Sequence, residues 1–227
     1  MMMRHLQRGL NLFSWIEKHF SIISQCFSRD KYNNTLLILE QTLKKSSFQI
    51  QRKYRESRKM IDNQFIKMMA NYNQWQNESI YTSADLLGED ARKQQRGAYF
   101  GSIHHTLCHL LWGDMIWTSR FAGLAAPEVN SIQQSSGMIK DWKELKTKRY
   151  RLDREIISWA EGLDDAVIKG ELSWYSGALK ANASRPLGEI LVHFFNHQTH
   201  HRGQVHAMIT AADGQPDDTD LFFMSTR

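Results

Sequence analysis

Histidine is concentrated near the carboxyl end of the chain, in residues 186–212. Five of the ten histidines lie there, and His193, His197 and His201 follow one another at intervals of four residues. In an α-helix this spacing places side chains above one another on one face. Two imidazoles four residues apart can bind one metal ion, because their ring nitrogens converge across one turn. The spacing therefore makes this segment a candidate metal site.

The segment lacks the catalytic base of the zinc proteases that carry the sequence HExxH. Gln198 stands where those enzymes have glutamate. A third ligand must come from elsewhere, and residues 102–122 hold His104, His105 and His109, among which periodicity does not choose. Neutral imidazole suits zinc, nickel, copper or iron. Three protein nitrogens would leave one position open for water or substrate, as in catalytic zinc sites.

Four helices are predicted to position these side chains. Apolar residues recur at helical spacing in four stretches, which are residues 62–86, 102–122, 139–160 and 186–212. The second stretch is apolar on nearly every side, apart from its histidines and Asp114, which is typical of a helix buried in a bundle. We therefore expect an all-α fold, a four-helix bundle in which metal sites form between facing helices.

The connections between these helices are predicted to be mostly irregular. Residues 89–101 and 123–137 are rich in loop-forming types, whereas residues 167–180 alternate briefly around two glycines. This alternation predicts a short β-like excursion before the last helix. We expect the tail, residues 215–227, to lie back on the bundle through its apolar side chains, which are Leu221, Phe222 and Phe223.

Composition limits the class of protein. A hydrophobic fraction of 41% over 227 residues is ordinary for one soluble globular domain with an appendage. Cys26 and Cys108 have no CxxC-like spacing, so we expect free thiols and a cytoplasmic protein. The net charge of +5 is uneven: the first 60 residues hold 12 Lys and Arg against 4 Asp and Glu, and the remainder hold 17 against 20. An argument for nucleic-acid binding is thus confined to the first 60 residues.

Residues 1–59 form a segment of different character. A weakly amphipathic stretch, interrupted by Glu17, Lys18 and His19, precedes a basic run at residues 52–59. The interruption disfavours a secretory signal, and no apolar run is long enough to span a membrane. The segment could be a helix for a membrane surface or a partner, a solvated extension, or translated sequence upstream of a start at Met60. We expect a basic extension that is disordered or not part of the native protein.

Residues 60–227 resemble the DinB family, which is named for damage-inducible bacterial proteins and is related to metal-dependent thiol transferases. The resemblance lies in three stretches, MANYNQWQNESIY, RGAYFGSIHHTLCHLLWGDMIWTSRF and HFFNHQTHHRGQVHAMI, and in the tail DDTDLFFM. It implies an up-down-down-up four-helix bundle with a three-histidine metal site. The ligands that it implies are His109, in a TLxH element, and His197 and His201, the first and last histidines of HxxHH.

Six further residues are candidates for the surroundings of the metal. Three histidines lie close to the implied ligands in sequence, and three other residues resemble family positions; they are His105, His193, His200, Asp114, Arg202 and Gln204. The last three are equally well explained as polar partners that satisfy buried groups.

The resemblance implies a metal-dependent thiol S-transferase, which adds a low-molecular-weight thiol to electrophilic or toxic compounds. An open metal position can bind a thiol and lower its pKa. Metal-activated hydrolysis also fits, and the alternative is a non-enzymatic, metal-stabilised stress-response protein whose site His105 or His193 would close. We expect a divalent transition metal, zinc or nickel, a small-molecule substrate and a homodimer, with neither nucleic acid nor membrane as a partner.

Overall fold

The computed structural model describes residues 41–42, 45–46, 61–177 and 179–226. The chain divides into two compact units, Met1–Lys59 and Met60–Arg227, of which only the second is described below. The expectations for residues 1–59 fall almost wholly outside the described residues. Within the described part of the chain, no helix combines the length and the apolar character that crossing a membrane requires.

Four long helices and several short elements make up the second unit. The long helices are α1 (Asn63–Asp85), α3 (Ile103–Phe121), α5 (Trp142–Glu161) and α7 (Leu187–Thr210). The short elements are α2 (Glu89–Lys93), α4 (Ile132–Ser135), α6 (Asp165–Ile168), strands β1 (Glu171–Ser176) and β2 (Ala181–Pro186), and a terminal 3₁₀ helix (Leu221–Thr226). The all-α prediction is confirmed, but both connections predicted to be irregular contain a short helix.

Side-chain caps explain where three of the long helices begin. The carboxylate of Asp62 accepts a hydrogen bond from the amide of Phe65, and Ser102 caps α3 in the same way. Asp141 caps α5, so this helix begins at Trp142, three residues later than predicted. Such caps satisfy amide groups that have no partner within the helix.

The last helix begins after Pro186, which the sequence analysis placed inside it. Pro186 is instead the final residue of β2, paired with Glu171 in an antiparallel hairpin. The amide of Leu187 then donates to the carbonyl of Gly170 across 2.9 Å. The predicted excursion at residues 167–180 is therefore real, but its strands lie at residues 171–186. Proline fits the strand end because it has no amide hydrogen to donate to the ladder.

Contacts between side chains fix the direction of each helix. In antiparallel helices, residue numbers rise along one helix as they fall along the other. Helices α1 and α5 are antiparallel, as the contacts Asn77–Asp153 and Asp85–Trp142 show. Helices α3 and α7 are antiparallel too, as the contacts His109–His201 and Trp117–His193 show. In parallel neighbours both numbers rise, as in Phe65–Phe195 and Tyr72–Arg202 for α1 and α7, and His104–Trp142 and Phe121–Trp159 for α3 and α5. The helices therefore run up, down, down and up in chain order.

The tail lies on α1, and its terminal 3₁₀ helix contacts this helix. Hydrogen bonds to backbone atoms hold it: the hydroxyl of Tyr72 donates to the carbonyl of Thr219 across 2.6 Å, and the amide of Asp217 donates to Ser79 Oγ across 2.7 Å. The three apolar side chains predicted to anchor it remain 37–66% exposed. Hydrogen bonds that involve the backbone of the tail therefore contribute to its position on α1.

A buried polar network crosses the centre of the bundle. Arg149 on α5 forms ion pairs with Asp114 on α3, at 2.6 Å, and with Asp153, at 2.7 Å, and all three side chains are at most 1% exposed. Gln198 on α7 donates to Asp114 across 3.1 Å, and Asn77 on α1 donates to Asp153 across 3.0 Å. Burial by itself would lower the pKa of Arg149, but the two carboxylates outweigh it and raise the pKa above its usual value. The network thus joins all four long helices.

Removing the cation should be costly, because two carboxylates would stay buried without it. We expect Arg149→Ala to lower the free energy of unfolding by about 3–5 kcal/mol. Arg154→Ala, an exposed change on the same helix, should alter it by less than about 0.5 kcal/mol. Urea unfolding followed by circular dichroism measures both. Equal effects of the two substitutions would show that the network does not stabilise the bundle.

Candidate metal centre

Three imidazoles meet between α3 and α7. His109 comes from α3, and His197 and His201 come from consecutive turns of α7. One nitrogen from each ring can be chosen so that all three lie within 4.8 Å of one another, and the ring centroids are 4.5–5.4 Å apart. The four-residue spacing aligns the two α7 histidines, and the antiparallel packing of α3 places the third opposite them. The cluster could hold a metal ion.

Hydrogen bonds fix the tautomers of two of these rings. Nδ1 of His109 lies 2.8 Å from Ser135 Oγ, whose own hydrogen is donated to the carbonyl of Ile132. The imidazole must therefore donate. Nδ1 of His201 lies 2.8 Å from Oε1 of Gln204, an atom that only accepts. Both rings thus keep the lone pair on Nε2, and partners of this kind orient the histidine ligands of metal sites.

The third ring is held by packing. Nδ1 of His197 is buried and has no hydrogen-bond partner among the described residues. A Cβ atom at Gly113 would lie 2.9 Å from Cε1 of this imidazole, so only glycine lets the ring approach α3 this closely. A buried nitrogen without a partner is costly unless something binds it. The surroundings of His197 therefore fit a residue that binds a metal ion.

Burial keeps the cluster neutral. It lowers the pKa of His109 to about 4 and that of His197 to about 3, and neighbouring imidazoles contribute to both shifts. Burial also lowers the pKa of His201, against the hydrogen bond from its ring to Gln204. All three rings are consequently unprotonated at pH 7, which is the form that binds metal. The donor set suits a divalent transition metal.

Aromatic rings shield the cluster. Phe100, in the connection between α2 and α3, stacks on His109 with 3.9 Å between centroids and lies 5.6 Å from His201. Trp112 lies 5.6 Å from His109, and its indole nitrogen donates to the carbonyl of Val129. Sequence patterns did not point to Phe100, Ser135 or Gly113. Phe100 and Gly113 both lie in a stretch that resembles the family, whereas Ser135 lies outside all of these stretches.

Of the six candidates for the surroundings of the metal, Gln204 alone hydrogen-bonds to one of the three histidines. His200 and His193 are exposed, and their rings lie 4.9 Å from His201 and 6.0 Å from His197, respectively. The ring contact of His105 is with His104, at 6.0 Å. No fourth His, Cys, Asp or Glu of the described residues joins the cluster.

Asp114 and Arg202 belong to the buried network instead. Asp114 accepts from Gln198, the residue next to His197, and so lies one hydrogen bond away from the α7 backbone that carries the cluster. Arg202 donates to the side-chain oxygen of Asn73 on α1. Both side chains satisfy buried polar groups, which is the simpler of the two interpretations of these positions. His104 is also a core residue, bonded to the carbonyl of Ile139 across 2.8 Å.

A methyl group at Gly113 should displace His197. We expect Gly113→Ala to weaken zinc binding by about 10- to 100-fold, the usual effect of disturbing the support of a ligand. Gly203→Ala on α7 is the matched control, because a Cβ there meets nothing within 4 Å. Competition with a chromophoric chelator measures both affinities. Equal affinities would show that the position of the His197 ring does not matter for binding.

The lowered pKa values predict how binding depends on pH. Protons compete with a metal only below the pKa of its ligands, so zinc affinity should change little as the pH falls from about 7.5 to about 6.5, where an exposed histidine begins to be protonated. It should fall steeply as the pH drops towards 4. A peptide of residues 190–206, whose histidines are exposed, should lose affinity already below about pH 6.5. Calorimetric titration distinguishes the two; parallel curves would contradict the pKa shifts.

The chain is similar to known proteins over the helical bundle. The family model described as "DinB family" matches residues 60–226, a range that includes all three histidines. Protein DinB of Bacillus subtilis (strain 168) is 29% identical over 167 residues, which covers 69% of this chain and 92% of that protein. The crystal structure of a DinB-like protein from Bacillus cereus ATCC 10987 is 14% identical, with a TM-score of 0.47, and covers 63% of this chain and 90% of its own. Because the family match extends over the whole helical bundle, the chain belongs to the DinB family.

Proposed function

We propose that this protein binds a divalent metal through His109, His197 and His201 and uses it to transfer a low-molecular-weight thiol to electrophilic compounds. The observation that carries the proposal is a cluster of three neutral imidazoles that no fourth described ligand closes. Three histidine ligands with a free fourth position are the pattern of catalytic zinc sites. Imidazole is a good ligand for zinc, nickel, copper and iron, and of these we propose zinc or nickel.

A bound metal would supply a Lewis acid that stabilises a thiolate near neutral pH. In the transfer, the thiol loses its proton, its sulfur forms a bond to an electrophilic carbon, and the leaving group departs with the bonding electrons. The side chains of this protein prepare the site for that chemistry. Ser135 and Gln204 hold two of the ligand rings in one tautomer, and Phe100 covers His109 and limits the access of water.

One observation favours the alternative of a metal-stabilised protein without catalysis. The three histidines come from α3 and α7 only, and these helices are antiparallel neighbours. A metal ion would therefore link two of the four helices directly. Its binding free energy would add to the stability of the bundle even if no substrate reached it.

Metal content and thiol transfer should be measured together. The protein, purified without a histidine tag or chelator, is expected to contain about one zinc or nickel ion per chain. It should also accelerate the reaction of cysteine or coenzyme A with the electrophile monochlorobimane. The variant with alanine at His109, His197 and His201 should have neither property. His200→Ala, which changes an exposed neighbour, should retain both.

The combinations of outcomes separate the two functions. Metal that raises the melting temperature without accelerating any thiol reaction would establish the non-enzymatic alternative. No metal in the wild type, even after refilling with zinc and with nickel, would overturn both.

A cytoplasmic location, a homodimer and the absence of nucleic-acid binding stay predictions. They rest on the buried free thiol of Cys108, on the resemblance to the family, and on the excess of acidic over basic residues after residue 60.

A further inference from the structure

Beside the candidate metal centre lies a second cluster of side chains, from three elements. It comprises Trp117 and Arg120 of α3, Trp174 of β1 and His193 of α7, and is called the Trp–Arg cluster below. The rings of Trp117 and Trp174 meet edge to face at 5.5 Å, and those of Trp117 and His193 at 5.4 Å. The guanidinium of Arg120 lies 4.8 Å from the centroid of Trp117 and 5.8 Å from that of Trp174.

The Trp–Arg cluster continues directly from the metal centre. His193 precedes His197 by one turn of α7, with 6.0 Å between their rings. On α3, Trp117 lies one turn beyond Gly113, the residue on which His197 packs. Arg120 follows Gly113 by seven residues, which is about 10 Å along a helix. A small molecule of that length could contact Arg120 at one end and the three histidines at the other.

Arg120 has no anionic partner in the described part of the chain, where no ion pair or hydrogen bond involves its side chain. It is nevertheless half-buried, and burial lowers the pKa of its guanidinium without making it neutral at pH 7. The five N–H groups of guanidinium are a fork that matches the two oxygens of a carboxylate. The guanidinium lies against two indole rings, which hold it at the surface, and no carboxylate of the described residues neutralises its charge.

We propose that the Trp–Arg cluster is a binding subsite for an organic carboxylate, with Arg120 pairing the carboxylate and the two tryptophans packing against the apolar part of the molecule. This inference rests on the proposed function, since it assigns the carboxylate to one of the two substrates that meet at the metal. Thiols of low molecular weight commonly carry a carboxylate, and so do many electrophiles. The subsite would recognise the carboxylate, which both kinds of substrate can carry.

The β-hairpin acquires a role from this assignment. Trp174 is partly buried on the face of β1 that packs on α3 and α7, and the alternating burial of the strand places Leu172 on the same face. The hairpin thus forms one wall of the subsite. Tyr175, on the opposite face of the strand, is 63% exposed and takes no part in it.

Binding of benzoate, with benzamide as its uncharged counterpart, tests the assignment without any catalytic assay. Calorimetric titration should show benzoate binding at least about ten-fold more tightly than benzamide, since only benzoate forms the charge-assisted pair. Arg120→Gln should weaken benzoate binding by about 10- to 100-fold, and Arg120→Lys by less, because it keeps the charge but loses the fork. Arg154→Gln, an exposed arginine on α5, should change nothing.

Failure of the subsite and failure of the proposed function give different results. In the triple alanine variant of the three histidines, benzoate should still bind and still depend on Arg120, whether or not the wild type transfers thiols. Equal benzoate binding by wild type and Arg120→Gln, or equal binding of benzoate and benzamide, would overturn the subsite. Benzoate binding that disappears with the histidines but not with Arg120 would place the carboxylate on the metal and would also overturn it.

Cobalt-loaded protein identifies which substrate carries the carboxylate. If it is the thiol, mercaptohexanoate should produce the thiolate-to-cobalt absorption at about ten-fold lower concentration than hexanethiol, and Arg120→Gln should abolish the difference. If both thiols behave alike while benzoate binding still depends on Arg120, the electrophile supplies the carboxylate. Both results uphold the subsite, and they assign it to different substrates.

Discussion

The buried cation of Arg149 is the constraint on which the rest of the bundle depends. A charge in an apolar interior is tolerated only when it is paired, and Arg149 is paired by one carboxylate from its own helix and one from α3. Hydrogen bonds from Asn77 and Gln198 extend the network to α1 and α7. Apolar side chains tolerate small shifts between helices, but hydrogen-bonded charges do not, so the network selects one register for the four helices.

That register is what assembles the candidate metal centre. Gln198 of α7 donates a hydrogen bond to Asp114 of α3. The residues that precede these two, His197 and Gly113, pack against each other. One contact lies in the network and the other in the cluster, one residue apart on both helices. A bundle without the network would still bury its apolar residues, but it would lose the hydrogen bond that joins α7 to α3 one residue away from His197.

The polar groups along the interface between α3 and α7 differ in whether they have partners within the protein. At its centre, the guanidinium of Arg149 is paired with the carboxylates of Asp114 and Asp153. At the metal centre, three neutral imidazoles include Nδ1 of His197, which has no hydrogen-bond partner among the described residues. Beyond it, Arg120 is a half-buried cation on an aromatic surface. The compensated groups stabilise the fold, whereas the uncompensated ones are suited to binding something from outside.

Much of the fold was predictable from local sequence. Apolar residues at helical spacing predicted four helices whose ends are correct to within a few residues, because an amphipathic pattern reflects burial along one helix. Pro186, predicted as the first residue of the last helix, is instead the end of β2, since its pairing with Glu171 depends on the other strand of the hairpin. Arg149 lies in a densely charged helix, and local pattern offers no means of telling the buried arginine from its exposed neighbours.

The candidate site divides in the same way. The sequence by itself determined that His197 and His201 share a helical face, because four residues span one turn, and resemblance to a family added His109. Only the tertiary structure decided which groups surround them. Ser135 is 26 residues from His109, and Gly113 is 84 residues from His197, so neither contact leaves a trace in local spacing. The same holds for Trp174 and Arg120, which meet only because the hairpin folds onto α3. Periodicity records the geometry of a single element, whereas contacts between elements are fixed by packing and by the pairing of buried charges.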